Sequence, residues 1–550
     1  MNQAALVLAV FSLLSQLCGL LRDRLLASMV GPSAALDVYY AAFRIPDFIY
    51  TSVASLFSVT VIIPFITGYL DEKDSGKAAS LKKFSDTIFT VYCAGMVIVC
   101  ALAAVLMPYL TYLTAPGFNA VQHADLVLYS RIMLISPFLM GLSSLLGSFA
   151  QVQKKFFSFA IAPLFYNAGI LVGVVVLLPI VGVLGVVIGV VVGALLYMAV
   201  QLPTLVSLGK LPAFTRNFDL GLIKEVMLLS IPRTLAMSLT NLTMLMMSAV
   251  ASLLVAGSIS IFQFSYNIET APLMIIGISY AVAAFPTMTR LFQEGQKKEF
   301  VDLIHRATRN IFFLSIPAAI LIIVLRAQIV RVLLGAGAFS WNDTRLVAAS
   351  VALFCLSVTA QCMILLLVRG FYAAGNTKTP LVINAYSVLI TIVSLGALLL
   401  CFREFPMFRD FLENLLRIDG AVGTTVVLLP FAFSIGQIAN ALWLWTRFHR
   451  SLEGHKSETM ELGRALFHTV GAGIIAGTSA YGMLILLGSG VDQEHFLGIF
   501  VQGTVACIVG LAMYGITLMA MRNDDIILFV QTLRSKFWKQ KPLTPEQPEL

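Results

Sequence analysis

The sequence predicts an all-α polytopic membrane protein with about fourteen transmembrane helices, arranged as two six-helix lobes followed by two more helices. Three observations lead there: a composition too apolar for water, regular apolar blocks with alternating loop charge, and a weak internal repeat. The chain has 550 residues, 59% of them hydrophobic and only 12% charged. Its mean hydropathy is +0.91. Soluble domains carry about 25% charged residues. A globular core cannot absorb this much apolar surface, so lipid is the solvent for much of it.

A spanning helix needs roughly 20 mainly apolar residues. Blocks that meet this lie near 4–30, 36–69, 84–110, 126–150, 157–178, 181–206, 222–254, 258–290, 309–334, 345–373, 380–402, 420–446, 464–488 and 496–521. The first block is apolar without a preceding basic region or a small-residue cleavage pattern. It reads as a retained helix, not a cleaved leader.

Basic residues fall in every second loop. Lys73, Lys77, Lys82 and Lys83 lie between the second and third blocks, and Lys154 and Lys155 follow the fourth. Lys210 and Arg216 follow the sixth, and Arg290, Lys297, Lys298, Arg306 and Arg309 the eighth. Lys378 comes later, then Arg447, Arg450 and Lys456, then a tail with Arg522, Arg534, Lys536, Lys539 and Lys541. The loops near 111–124, 179–182, 255–258 and 489–495 contain neither Lys nor Arg. The positive-inside rule then puts both termini in the cytoplasm of a multi-pass inner-membrane protein. One loop breaks the pattern. Arg403, Arg409 and Arg417 lie on the predicted outer side, accompanied by Glu404, Asp410 and Glu413. The net charge of +8 is explained by these loops, so nucleic-acid binding is not expected.

Gly31 and Pro46 recur as Gly257 and Pro272 at one common offset. Pro64 and Phe149 recur as Pro286 and Phe371 at a slightly smaller one, and Pro163 and Asn167 as Pro380 and Asn384 at a smaller one still. A slowly drifting offset fits two diverged halves with loop insertions and deletions. Six spans per half is even, so both halves keep one orientation, a parallel repeat. The expected divisions are residues 1–210 and 211–446 for the two lobes, 447–521 for the last two helices and 522–550 for a cytoplasmic tail. Such halves place a substrate site between them and work by rocking. Pro46, Pro64, Pro272 and Pro286, with Pro232, are the expected bends.

An ionisable group at the bilayer centre costs at least about 2.5 kcal/mol, so each one needs a reason. Arg22, Asp23 and Arg24 follow a long apolar run, and Asp37, Arg44 and Asp47 come in the next block. Successive helical residues cannot share a face, so Arg22 and Arg24 should have different surroundings. Asp37 and Arg44, seven apart, should lie on nearly the same face of one helix. Two readings compete: an ion-pair network tying the first two spans together, and a cationic site for an anionic head group. Arg grips phosphate oxygens bidentately and stays charged, and a pyrophosphate would need two or more such donors. Glu269 is an isolated acid before the Pro272 kink, and Arg233 follows Pro232. Arg326, Arg331 and Arg369 sit near span ends and read as interfacial.

Other chemistry is poorly supported. Cys18, Cys93, Cys100, Cys355, Cys362, Cys401 and Cys507 form no CxxC and read as small buried residues. The six histidines show no metal-ligand spacing. No phosphate-binding GxxxxGK[ST] is present, so the chain is not expected to hydrolyse ATP or to need a cofactor. Membrane potential and ion coupling are both compatible. No loop has the size of an enzymatic active-site domain.

The stretch Gly19-Leu-Leu-Arg22-Asp23, Gly31, Asp37-Val-Tyr-Tyr-Ala-Ala-Phe43-Arg44-Ile-Pro46-Asp47, Phe57 and Pro64 resembles the opening of the MurJ/MviN family, as does Thr114-Ala-Pro-Gly-Phe118. That family lies within the multidrug/oligosaccharidyl-lipid/polysaccharide exporter superfamily. The resemblance covers essentially the whole chain and is most specific in the first 120 residues. It implies a monomeric flippase, not an enzyme. Such a flippase moves lipid II, the undecaprenyl-pyrophosphate-linked peptidoglycan precursor, from the cytoplasmic to the periplasmic leaflet for cell-wall biogenesis. It also implies two lobes around a cationic cavity, with spans 13 and 14 forming a groove for the lipid tail. Through it, Arg22, Asp37 and Arg44 match family positions. Arg24, Asp23, Asp47, Asn267, Glu269 and Arg233 complete the expected substrate site. The sequence departs from the family pattern at Gln16, after Pro46-Asp47, and at Asn267, all places where arginine is usual. Arg24 and Arg233 are the expected substitutes. A flippase for another polyprenyl-linked oligosaccharide and a multidrug-type antiporter are the alternatives.

Overall fold

The computed structural model describes residues 2–57, 75–152, 155, 157–207, 212–216, 220–451, 456–488, 496–523 and 526–527. All regular structure among them is helical. The first helices are α1 (Asn2–Met29), α2 (Ala34–Ala42) and α3 (Arg44–Ser52). Next come α4 (Ser75–Thr114), α5 (Ala120–Met133), α6 (Ile135–Val152), α7 (Phe157–Val172), α8 (Val183–Ala199) and α9 (Leu202–Ser207). Then follow α10 (Leu220–Ser252), α11 (Ser258–Pro272), α12 (Ser279–Gln293), α13 (Lys297–Val324) and α14 (Arg326–Leu334). The rest are α15 (Trp341–Cys355), α16 (Val358–Ala373), α17 (Lys378–Glu404), α18 (Pro406–Leu416), α19 (Leu428–Ser451), α20 (Lys456–Gly488) and α21 (Phe496–Ala520).

Among the described residues, ten helical stretches are long and apolar enough to cross a membrane, and α15 with α16, bent by 44°, makes an eleventh if the pair is one span. Each of these falls on one of the expected apolar blocks. The blocks at 4–30, 36–69 and 222–254 correspond to α1, to α2–α3 and to α10, outside that count. Many side chains that would be core in a soluble protein are open on these helices, such as Val105, Ile180 and Leu486. They are the lipid-facing surface that the composition requires.

Local chemistry sets the helix ends. Asn119 and Gln122 form a reciprocal capping box at the start of α5, and Ser340 and Asp343 form another at α15. Small residues let α7 and α8 approach backbone to backbone. A Cβ added at Gly169 of α7 would collide with the Gly193 backbone of α8.

The internal repeat has a structural echo. Gly31 (φ +65°) and Gly257 (φ +94°) are both in the left-handed region, just ahead of α2 and α11. A broken helix follows each. The first break is at Phe43, between α2 and α3. The second follows Pro272, which cannot donate a backbone hydrogen bond, and opens into a π-helical turn, Leu273–Ile278.

Two expectations change here. Asp37 and Arg44 do not share one continuous helix, because the chain turns at Phe43. The bend expected at Pro46 lies at that turn instead. Pro46 occupies the first turn of α3, where a missing N–H is no loss. Pro272 and Pro286 are inside helical segments as expected, and Pro64 falls outside the described residues.

By packing, the chain forms two compact units. One contains Met1–Glu269, Val330–Ser357 and Gly375–Leu444. The other contains Thr270–Ile329, Val358–Ala374 and Trp445–Leu550. All the candidate site charges belong to the first. In the second, α13, α20 and α21 pack through Phe313, Ala472, Ala476, Tyr514 and Leu518, and the Tyr514 hydroxyl donates to the Phe313 carbonyl at 2.8 Å.

Candidate functional site: a charge cluster laid along one helix

The site is best built from α11, which carries few charges. Going along it, Ser260, Gln263 and Asn267 recur at three- and four-residue spacing and so form one polar stripe. Each meets an ionisable residue from α1–α3.

Asp37 sits at the head of the stripe. Its Oδ2 accepts from the Gly257 backbone N–H at 2.6 Å, and its Oδ1 accepts from the Ser260 N–H and hydroxyl at 2.8 and 2.6 Å. These amides belong to the first turn of α11, where helix donors otherwise lack partners and negative charge is favoured. Asp37 is therefore a capping carboxylate, supplied by another helix. It is buried, and three donors already engage its two oxygens. Asp37 and Arg44, expected on nearly the same face of one helix, stand on separate helices and meet different parts of α11.

Arg44 meets the middle of the stripe. Its Nη2 donates to Gln263 Oε1 at 2.9 Å. Gln263 Nε2 then donates to Asn267 Oδ1 at 2.8 Å, and Asn267 Nδ2 donates to Asp23 Oδ2 at 2.8 Å. Arg22 closes the chain from the other side. Its Nε and Nη2 both donate to Asp23 Oδ1, at 2.9 and 2.8 Å. Its Nη1 reaches Asn167 Oδ1 at 3.4 Å, while Asn167 Nδ2 donates to the Ser15 hydroxyl at 3.1 Å. Two guanidinium groups are thus joined through one carboxylate and two carboxamides. Every link has one donor and one acceptor, so no amide can flip without breaking two bonds.

Arg24 faces elsewhere, as helical geometry requires. Its Nη1 donates to the Val332 carbonyl. Asp47 is exposed, with Arg44 and Tyr166 within electrostatic reach. Glu269 is fully buried, near Tyr266 and Cys355. The side chain of Arg233 falls outside the described residues.

The residues missed at the sequence level are neutral. They are Gln263, Ser260 and Asn167, together with Tyr39, Tyr40, Tyr166 and Tyr266, each within electrostatic reach of Arg22, Asp23 or Arg44. Gln263 stands four residues before Asn267 in an apolar span, a spacing that was available as a signal.

Contacts between residues 1–210 and residues 211–446 occur at more than one level. Near the loops without basic residues, the Ala338 N–H donates to the Ser28 carbonyl at 2.8 Å, and the Gly117 N–H to the Ser252 hydroxyl at 3.1 Å. Further along α3, Ser52 and Ser238 share a hydrogen bond of 2.8 Å, and Asn241 Nδ2 donates to Thr51 Oγ1 at 2.6 Å. Along α1–α3, Asp37 and Arg44 lie between these levels.

A polytopic bundle of long apolar helices that carries ionisable residues within it has the fold of a membrane transporter. A solved structure of a multidrug resistance MATE family transporter of the MOP superfamily aligns with 82% of this chain and 95% of its own, at TM-score 0.63 and 12% identity. A solved lipid II flippase MurJ in an inward closed conformation aligns with 94% of this chain and all of its own, at TM-score 0.73 and 18% identity. The family model "Lipid II flippase MurJ" matches residues 26–501, and the chain belongs to that family. Among its relatives, a protein of Rhizobium tropici named a probable lipid II flippase MurJ is 26% identical over 89% of this chain and 92% of its own length. The lipid II flippase MurJ of Burkholderia cenocepacia is 24% identical over 71% of this chain and 77% of its own.

Proposed function

We propose that this protein translocates lipid II from the cytoplasmic to the periplasmic leaflet by alternating access. The observation that carries the reading is the Arg22–Asp23–Asn267–Gln263–Arg44 chain. It holds two guanidinium groups in fixed positions within apolar helices. A pyrophosphate is a dianionic group or more, and an arginine fork matches its oxygens. Asp23 and Gln263 occupy donors that a pyrophosphate would take over. The acid also offsets part of the positive charge of the two arginines.

In this reading Arg22 and Arg44 bind the head group. Asp23, Gln263 and Asn267 position them, and Asp37 anchors the helix that carries the two amides. Residues 1–210 and 211–446 act as the two moving lobes, and the breaks at Phe43 and Pro272 supply bends. The last two helices are an addition to the lobes. Both termini lie in the cytoplasm. The protein works as a monomer without a cofactor, driven by membrane potential or an ion gradient.

Depletion in the host with a leaflet-resolved assay for lipid II tests this. Lipid II should accumulate on the cytoplasmic side, with loss of accessible lipid II outside. Unchanged outer-leaflet lipid II, with no second flippase present, would overturn the proposal.

A further inference from the structure

The exception to the loop-charge pattern, residues 403–417, folds as the 11-residue helix α18. α17 is a membrane span that ends at Glu404, and a single residue, Phe405, separates it from α18. α18 therefore starts where a span leaves the hydrocarbon. Its residues fall into three rows at four-residue spacing, and each row has a different environment. Leu412 and Leu416 are 4% and 7% exposed, so the row of Phe408, Leu412 and Leu416 packs on the protein. Arg409 and Glu413 begin the polar side, where Arg409 pairs with Asp410 at 3.6 Å and Glu413 accepts from the Thr424 hydroxyl at 2.8 Å. The third row is Met407, Phe411 and Leu415, which are 86%, 62% and 61% exposed.

We infer that α18 lies in the lipid interface, with Met407, Phe411 and Leu415 inserted at the boundary of head groups and acyl chains. A helix with one polar and one apolar open face is built for that plane. The occupant is bilayer lipid and not water or protein, because the open row continues the lipid-facing surface of α17. Val393 and Leu400 on that span are both 62% exposed. The pose is held by other groups. Arg345 at the start of α15 donates to the Arg417 and Asp419 carbonyls at 2.9 and 2.8 Å, and the Val422 N–H donates to Asn342 Oδ1 at 3.1 Å. This placement also accounts for the outer arginines. Arg403 and Arg409 sit at head-group level beside Glu404 and Asp410, not in a loop that had to be kept free of positive charge. On the proposed topology the leaflet is the periplasmic one, but the inference does not depend on the side or on lipid II transport.

The test uses the full-length protein in phospholipid vesicles, with the photoreactive residue p-benzoylphenylalanine placed singly at Phe411, Met407, Asp410 and Val393. Mass spectrometry then reads what each position captures. Phospholipid adducts are expected at Val393, Phe411 and Met407, at least fivefold above Asp410. Lipid capture at Val393 with none above the Asp410 level at Phe411 and Met407 would overturn the inference. So would capture of a second copy of the chain at Phe411. Replacing Phe411 by another aromatic side chain on an exposed surface leaves the fold intact, so the result reads position and not damage.

Discussion

The two regions that the sequence offsets pair, α1–α3 and α10–α12, divide the work unequally. The first brings the charges Arg22, Asp23, Arg24, Asp37, Arg44 and Asp47. Its counterpart answers mainly with dipoles: the Ser260 hydroxyl, the Gly257 and Ser260 amides, and the Gln263 and Asn267 carboxamides. A buried carboxylate or guanidinium needs hydrogen bonds, but it does not need an opposite charge for each one. A neutral partner, Gln263, holds Arg44 without cancelling it, while Arg22 is ion-paired to Asp23. A full set of acids on α11 would have neutralised the site. A full set of arginines would have left Asp37 and Asp23 as the only restraint on mutual repulsion.

If the charged half does the binding and the neutral half only positions, Arg22→Ala should have the largest effect on transport. A charge-assisted hydrogen bond contributes about 1.5–3 kcal/mol, so losing the fork should lower flipping by roughly tenfold or more. Reconstituted protein with fluorescent lipid II and an outer-leaflet quencher measures it. Arg22→Lys should recover only part, because an ammonium cannot make the paired contact. Full activity of Arg22→Ala would place the site elsewhere.

Asp37→Asn should separate stability from transport. The carboxamide offers one acceptor oxygen in place of two and turns an N–H toward the Gly257 amide. Leaving one buried donor without a partner costs about 1–3 kcal/mol. Thermal unfolding in detergent should shift down clearly, while protein that remains folded keeps most of its flipping. Loss of flipping at unchanged stability would instead make Asp37 a substrate ligand.

The neutral half should give smaller effects that depend on each other. Gln263→Ala and Asn267→Ala each break two links of one chain, so each should cost flipping about two- to fivefold, the size of one net hydrogen bond. The double variant should cost little more than either single one, because the chain fails as a unit. Strict additivity would mean that the two amides act separately.

Legibility followed the same division. Composition, apolar blocks and loop charge were enough for the membrane class, since lipid imposes those patterns on every span. The intramembrane charges were equally visible, because each is costly and rare. Their roles were not. Whether Asp37 caps α11 or faces a ligand depends on where Gly257 lies in space, and no spacing along the chain carries that. The break at Phe43 was hidden because Pro46, three residues later, is the obvious breaker, yet it starts a helix instead of bending one. Gln263 and Asn167 passed unnoticed because an amide in an apolar span is cheap enough to be ordinary.

Arg24 gives the weakest and most discriminating prediction. It stands one residue beyond Asp23 and was expected to replace arginines that the chain lacks. Its guanidinium donates instead to the Val332 carbonyl, outside the Arg22–Arg44 chain of links. A helical neighbour two residues on points about 160° away from Arg22, so it cannot join the same site without unwinding α1. Arg24→Ala should therefore reduce flipping by less than about twofold. Arg24→Gln keeps a donor for that carbonyl and should behave as wild type in both assays. If Arg24→Gln lost transport while its stability stayed unchanged, the charge itself would be needed. The cationic site would then extend beyond the stripe on α11, and the division between a charged half and a neutral half would have to include a third arginine.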